Sequence, residues 1–199
     1  MERTLDMNTF TARAVTGASP DLVAALTEIH RKSFPPNMQF ADAPRYFEEA
    51  LDDERNLNIL LQDQTGTVLG YLLAIPQSLV FEELRQWDPE MQDDPERLYL
   101  EMIQVLPEQR GSKLGLRLIQ RVCAEAEKRN IFNLSMHART TTGWSEYLRR
   151  IFAEVRFLRQ LENWYGFCEP FDYLEATTTL RTTVNTGESL LAATAGAVA

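Results

Sequence analysis

Residues 98–128, LYLEMIQVLPEQRGSKLGLRLIQRVCAEAEK, hold the side chains whose types and spacing could do chemistry. Arg110, Gly111, Ser112, Lys113, Leu114 and Gly115 stand between an apolar run that Pro107 breaks and a segment with helical periodicity. That order reads as strand, turn, helix. The first N–H groups of such a helix have no carbonyl partner and point into the turn, where the positive end of the helix dipole lies. Arg110 and Lys113 add full charges there, while Gly111 and Gly115 keep side chains out of the way, so the turn suits an anion held close to the backbone. Glu101 is the only formal charge in the strand 98–105 and shares a strand face with Ile103 and Val105. It is a candidate general base; the alternative is a structural partner of an arginine or a sheet-edge residue.

The elements that must position these residues follow from pattern. Residues 9–15 alternate as a first strand, and Ser19-Pro20 opens a helix that should end near Phe34, ahead of Pro35-Pro36. A second helix starts at Asp42-Ala43-Pro44. Strands at 57–62 and 67–75 flank Gln64-Thr65-Gly66, a hairpin signal. The connection after Pro76 carries Glu82, Glu83, Asp88, Glu90, Asp93, Asp94 and Glu96 around Phe81, Leu84 and Trp87. It reads either as a solvated loop with one helical turn or as an acidic lip that attracts an amine. A third helix is expected at 112–129, a strand at 131–138, a fourth helix at 142–152, and last strands at 154–164 and 171–176. The Thr- and Ala-rich stretch 177–199 is expected to be loose or weakly helical, outside a single domain that covers residues 1–176.

The 199 residues, 44% hydrophobic and 25% charged, suit one soluble globular domain of ordinary size. No apolar run is long enough to span a membrane and MERTLDMNTF lacks the core of a signal peptide, so the expected location is the cytoplasm. A net charge of −9 works against nucleic acid and anionic lipid as partners and mildly favours a cationic one. Cys123 and Cys168 are too few for a disulfide framework, and His30 and His137 alone exclude a histidine-rich metal site; no metal is expected. Nucleotide-binding glycine fingerprints, zinc-protease and serine-hydrolase motifs are all missing.

Arg110-Gly111-Ser112-Lys113-Leu114-Gly115, preceded by Val105-Leu106-Pro107, resembles the acyl-CoA pyrophosphate loop of the GNAT superfamily of N-acetyltransferases. The family pattern is Arg or Gln, two residues, Gly, one residue, then Gly or Ala, opening a long helix after the fourth strand. Lys113 occupies the position of the first of those glycines. The resemblance covers roughly residues 9–176 and is strongest over 98–152. It implies an α/β fold with a mixed, mostly antiparallel sheet of six to seven strands and four main helices. It also implies acetyl-CoA as co-substrate, a small-molecule or protein amine as acceptor, and a homodimer as a possible assembly. The backbone of Ile103, Gln104 and Val105 would meet the pantetheine, and residues 110–115 the diphosphate. Many members protonate the leaving thiolate from a tyrosine in the helix that corresponds to 142–152. Aligning Ser145 with the small residue of that pattern puts Arg149 at the tyrosine position. Tyr165 is the candidate in its place, with Tyr147 and His137 as further candidates. A protein of this fold that binds acyl-CoA without turnover is the second reading, and an unrelated nucleotide-phosphate binder a third.

Overall fold

Local chemistry fixes where the elements of this computed structural model begin, and residues 10–181 are those it describes. The strand β1 (Phe10–Val15) leads to α1 (Pro20–Ser33), where the Ser19 side chain accepts from the Leu22 N–H at 3.3 Å and Pro20 needs no partner. Asp42 caps α2 (Ala43–Asp52) in the same way through Arg45. Asn56 and Asn58 both donate to the Ala50 carbonyl near the end of α2. The hairpin between β2 (Leu57–Asp63) and β3 (Val68–Pro76) is tied by Asp63, whose carboxylate accepts from the N–H groups of Thr65 and Thr67, with Gly66 at φ 86°.

The acidic connection folds further than its sequence suggested. It contains α3 (Gln77–Leu84), and its Gln77, Leu84, Asp88 and Met91 are buried. The backbone before this helix is Pro76, which supplies no side-chain cap, so the usual start signal is absent. Then come β4 (Arg97–Val105), α4 (Leu114–Lys128), β5 (Asn133–Arg139), α5 (Trp144–Ile151), β6 (Val155–Leu161) and β7 (Phe171–Thr177). The described residues thus contain five α-helices where four main ones were expected.

The seven strands line up as β1-β2-β3-β4-β5-β7-β6. β1 and β2, β5 and β7, and β6 and β7 pair antiparallel, whereas β4 and β5 run parallel. Residues 10–73 with 102–122 form one compact unit, and 74–101 with 123–181 form another, so the division falls inside β3, β4 and α4. In the first unit Leu26, Ile29, Phe47, Leu51, Leu60, Tyr71, Leu73 and Met102 make a core between α1, α2 and the strands. In the second, α5 lies on β5 and β7. β7 extends to Thr177, and the next residues stay packed: Thr178 is buried and bonded to Glu127, and the Arg181 N–H donates to the Ile151 carbonyl. The looseness expected of the tail therefore does not begin at Thr177, and its residues 182–199 lie outside those described. No helix among the described residues is long and apolar enough to cross a membrane.

Candidate active site

In the first unit, β4 leads through a short 3-10 turn, Pro107–Gln109, to the start of α4. The Ser112 hydroxyl donates to the Gln109 carbonyl, which folds the loop back on that turn. Gly111 stands at φ 79° and Lys113 at φ 61°, both in the left-handed region. The Lys113 carbonyl accepts from the Arg117 N–H at 3.4 Å, the first bond of the helix, so Lys113 is its capping residue. A glycine would take that conformation without strain; a lysine pays roughly 1–2 kcal/mol. The Lys113 side chain is exposed, as is Gly111, while Leu114 is 2% exposed. Leu114 can therefore offer a ligand only its main chain. The N–H groups of Leu114, Gly115 and Leu116 have no acceptor within the helix. Arg110 is half-buried, which lowers its pKa, against the opposing pull of Glu108.

The main chain of β4 separates the three residues expected to meet a pantetheine. The Leu106 N–H donates to the Leu69 carbonyl at 2.9 Å, and the Gln104 carbonyl lies so near Gly70 that a Cβ there would approach it to 2.6 Å. Gln104 thus directs its peptide groups at β3, and by strand alternation Ile103 and Val105 direct theirs the other way.

In the second unit the parallel ladder of β4 and β5 holds only Arg97↔Asn133, Leu98↔Leu134 and Tyr99↔Ser135. Leu100 and Glu101 have no register partners in Met136 and His137. At this point lies a buried chain of polar groups. The Arg159 guanidinium grips Asp88 through two bonds, of 2.7 and 2.5 Å. Asp88 also meets His137 Nε2 at 3.2 Å, and His137 Nδ1 meets the Tyr99 hydroxyl at 3.1 Å. The imidazole is stacked between Trp164, at 3.6 Å, and Tyr173, at 4.7 Å. Burial opposes ionisation of Asp88, but the hydrogen bonds from His137 and Arg159 and the Arg159 charge outweigh it and hold its carboxyl below the usual value. Burial pushes His137 down to about 4 despite the pull of Asp88, so the ring is neutral at pH 7. With both nitrogens occupied, it is a poor proton donor to anything else.

Glu101 is half-buried, and its charge acts on both Tyr99 and Tyr165. The structure thus brings the two proposed catalytic side chains into one electrostatic neighbourhood. The Tyr165 hydroxyl donates to Glu83 at 2.6 Å and its ring stacks on Trp87 at 5.4 Å. Burial, then the bond and charge of Glu83, then Glu101 raise the Tyr165 pKa well above the usual phenol value. Tyr147 is buried at 4% exposure with its pKa pushed up to about 12, and its ring stacks on Trp144. Arg149 donates to Asp172, which also accepts from Ser145 and Gln160. Asp88, Tyr99 and Arg159 were not singled out from the sequence. Asp88 was hidden in an acidic run, and only the fold shows which of those carboxylates is buried. Among the described residues no group of three His, Cys, Asp or Glu side chains could hold a metal ion.

A mixed seven-stranded sheet whose parallel pair β4 and β5 shares a register over three residues, with β4 running through a left-handed turn into α4, defines a class of mixed α/β protein. The chain belongs to the acetyltransferase (GNAT) family, whose model matches residues 23–150, and is by that membership an acyltransferase. Its fold is similar to an aminoglycoside 6'-N-acetyltransferase complexed with coenzyme A, with TM-score 0.62, 15% identity, and 86% of this chain and 98% of that one covered. The ribosomal-protein-S18-alanine N-acetyltransferase from Escherichia coli is similar at TM-score 0.59 and 17% identity, over 90% of this chain and 99% of that one. A variant spermidine N-acetyltransferase from Vibrio cholerae gives TM-score 0.59 and 12% identity, over 86% and 95%. At these identities the likeness is one of fold. No curated protein matches the sequence.

Proposed function

We propose that this chain moves the acetyl group of acetyl-CoA to a primary amine by direct attack of the amine on the thioester. The observation that carries this is the start of α4. Gly111 and Lys113 stand in left-handed conformations just before α4, whose first N–H groups, those of Leu114 and Gly115, have no carbonyl partner within the helix, and Arg110 and Lys113 add charge. A diphosphate suits such a cradle. The family membership and the coenzyme A held by a protein of similar fold support acetyl-CoA as the donor. On β4, the outward peptide groups of Ile103 and Val105 are assigned to the pantetheine and to polarising the thioester carbonyl; a donor of this kind is worth roughly 3–4 kcal/mol in acyl transfer.

The acceptor must shed a proton before it attacks. An amine of pKa near 10.4 is neutral only about once in 2,500 at pH 7, a penalty of roughly 4–5 kcal/mol. Glu101 is assigned to take that proton. The nitrogen loses a second proton as the tetrahedral adduct collapses, the C–S bond breaks, and the thiolate takes up one, so one proton is released in all. Tyr165 is the candidate donor to the thiolate. Tied to Glu83, it would give up its proton uphill to a thiolate whose thiol has an ordinary pKa near 8.5, so Tyr165→Phe is expected to slow turnover by less than about tenfold. The acidic connection, with Glu83 exposed, favours a cationic acceptor such as a polyamine, an amino sugar or a protein amine.

A second reading is an acyl-CoA-binding protein without turnover, favoured by Arg149 lying ion-paired where many members carry a tyrosine. Thiol release from acetyl-CoA across a panel of amines tests both. Release that depends on the amine, lowered most at neutral pH by Glu101→Gln with coenzyme A affinity intact, supports the enzyme. Coenzyme A binding with no release on any amine supports the binder.

A further inference from the structure

The connection between β3 and β4 lays an exposed stripe along α3 and the turn that prolongs it. The Arg85 N–H donates to the Phe81 carbonyl and the Asp88 N–H to the Leu84 carbonyl, both at 2.9 Å, so the backbone keeps a helical course past Leu84. Leu79, Glu83 and Trp87 therefore follow one another at steps of four residues, each step about 40° around the axis. All three are exposed, Leu79 at 42% and Trp87 at 38%. An aliphatic side chain, a carboxylate and an indole thus share one side of the connection.

Tyr165 braces the last two. Its hydroxyl donates to Glu83 Oε1 at 2.6 Å, and its ring stacks on the Trp87 indole with centroids 5.4 Å and planes 28° apart. The turn that presents it holds two residues in the left-handed region, Tyr165 at φ 51° and Gly166 at φ 76°, and a Cβ on Gly166 would come to 3.9 Å from Trp87 Cη2. Trp87 is also anchored through its neighbour, because Asp88 is buried in the grip of Arg159 and His137. The cations nearby in the chain and the fold are engaged elsewhere: Arg85 pairs with Glu82 at 3.3 Å and lies over the Phe81 ring, and Arg159 is on Asp88. Among the described residues Glu83 has no cationic partner, and its Oε2 accepts from no donor.

We propose that Leu79, Glu83 and Trp87, braced by Tyr165, form a binding site for a primary alkylammonium ion. The ammonium donates to Glu83 Oε2 and meets the exposed part of the indole, whose π-electrons attract a cation, while the hydrocarbon lies along Leu79. A neutral alcohol of the same length keeps the hydrocarbon contact and loses both charge interactions. The ion keeps its proton while held, so it is not the nitrogen that attacks a thioester. The site therefore stands whether or not the chain turns over acetyl-CoA.

The test is a titration of the whole chain, isotope-labelled for NMR, with n-butylammonium chloride and no acyl donor present. It is followed through the Trp87 indole N–H resonance, which Trp87→Phe identifies by its loss. That resonance is expected to move saturably with n-butylammonium and to move little with n-butanol at the same concentration. Glu83→Gln and Trp87→Leu, compared by calorimetry, should each weaken binding roughly 3- to 10-fold, and added salt should weaken it further. Glu90→Gln removes another exposed carboxylate of the same acidic run, outside the stripe, and should leave the affinity within about twofold. A loss in Glu90→Gln equal to that in Glu83→Gln would mean attraction to an acidic surface in general and overturn the site. An indole resonance that stays put, or that n-butanol moves equally, overturns it as well.

Discussion

Arg149 of α5 donates to Asp172 of β7 over 2.8 Å, from a side chain 40% exposed to a carboxylate 8% exposed. The guanidinium also lies 4.6 Å from the Phe157 ring centre. Its role is to hold a helix on the sheet, and a guanidinium has no proton to give at neutral pH. Arg149→Ala leaves Asp172 with Ser145 and Gln160 as partners, and is expected to cost about 1 kcal/mol, a fall of roughly 2–4 °C in Tm. The KM for acetyl-CoA should not change. A thermal melt beside steady-state kinetics checks both, and a loss of turnover with an unchanged melt would contradict the structural role.

Lys113 offers a comparison between two replacements. Lys113→Ala removes the charge and keeps the left-handed strain, whereas Lys113→Gly removes both. The glycine variant should be the more stable by about 1 kcal/mol, the reverse of the order at an ordinary helix position. Both should bind coenzyme A more weakly than the parent, with a shallower dependence on salt. Denaturant titration and calorimetry at two ionic strengths would reveal the opposite order if the loop were not held as described.

Gly70 should tolerate no side chain. A Cβ there would stand 2.6 Å from the Gln104 carbonyl oxygen and 3.2 Å from Val105 Cα, both main-chain atoms that cannot swing aside. Gly70→Ala is expected to destabilise by about 1–3 kcal/mol. An unchanged denaturant midpoint would mean that β3 and β4 approach less closely.

Two buried histidines make stability depend on pH. His30 accepts from the Phe40 N–H at Nε2 and is packed by Phe34, Phe40 and Phe47; burial lowers it to about 4, as it does His137. The unfolded chain takes up protons on both below about pH 6.5 while the folded chain does not. Stability is therefore full above that pH and is lost as pH falls toward 4, at about 1.4 kcal/mol per pH unit for each ring. His137→Phe should halve the slope between pH 6.5 and 5. Stability that is flat over this interval would show that the rings are not held neutral.

Much of this fold could be read before any coordinates. Ser19, Asp42, the prolines and Gly66 announce their elements because caps and turns depend on residues adjacent in the chain. The loop 110–115 was legible for the same reason: a helix start is a local object. The sequence shows only one helical turn where α3 runs for eight residues, because nothing before Gln77 caps it and its burial depends on the surface it meets.

The sequence by itself determined the strand, loop and helix around residues 110–115, the acidic balance, and the presence of Glu101 in an apolar strand. Tertiary structure alone decided that Asp88, out of seven acidic residues in one run, is the buried one, that Arg149 pairs with Asp172, and that β4 and β5 part after Tyr99. These depend on groups dozens of residues apart meeting in a medium of low polarity, where a lone charge is costly and a partner sets its state. Spacing along the chain carries no record of such meetings.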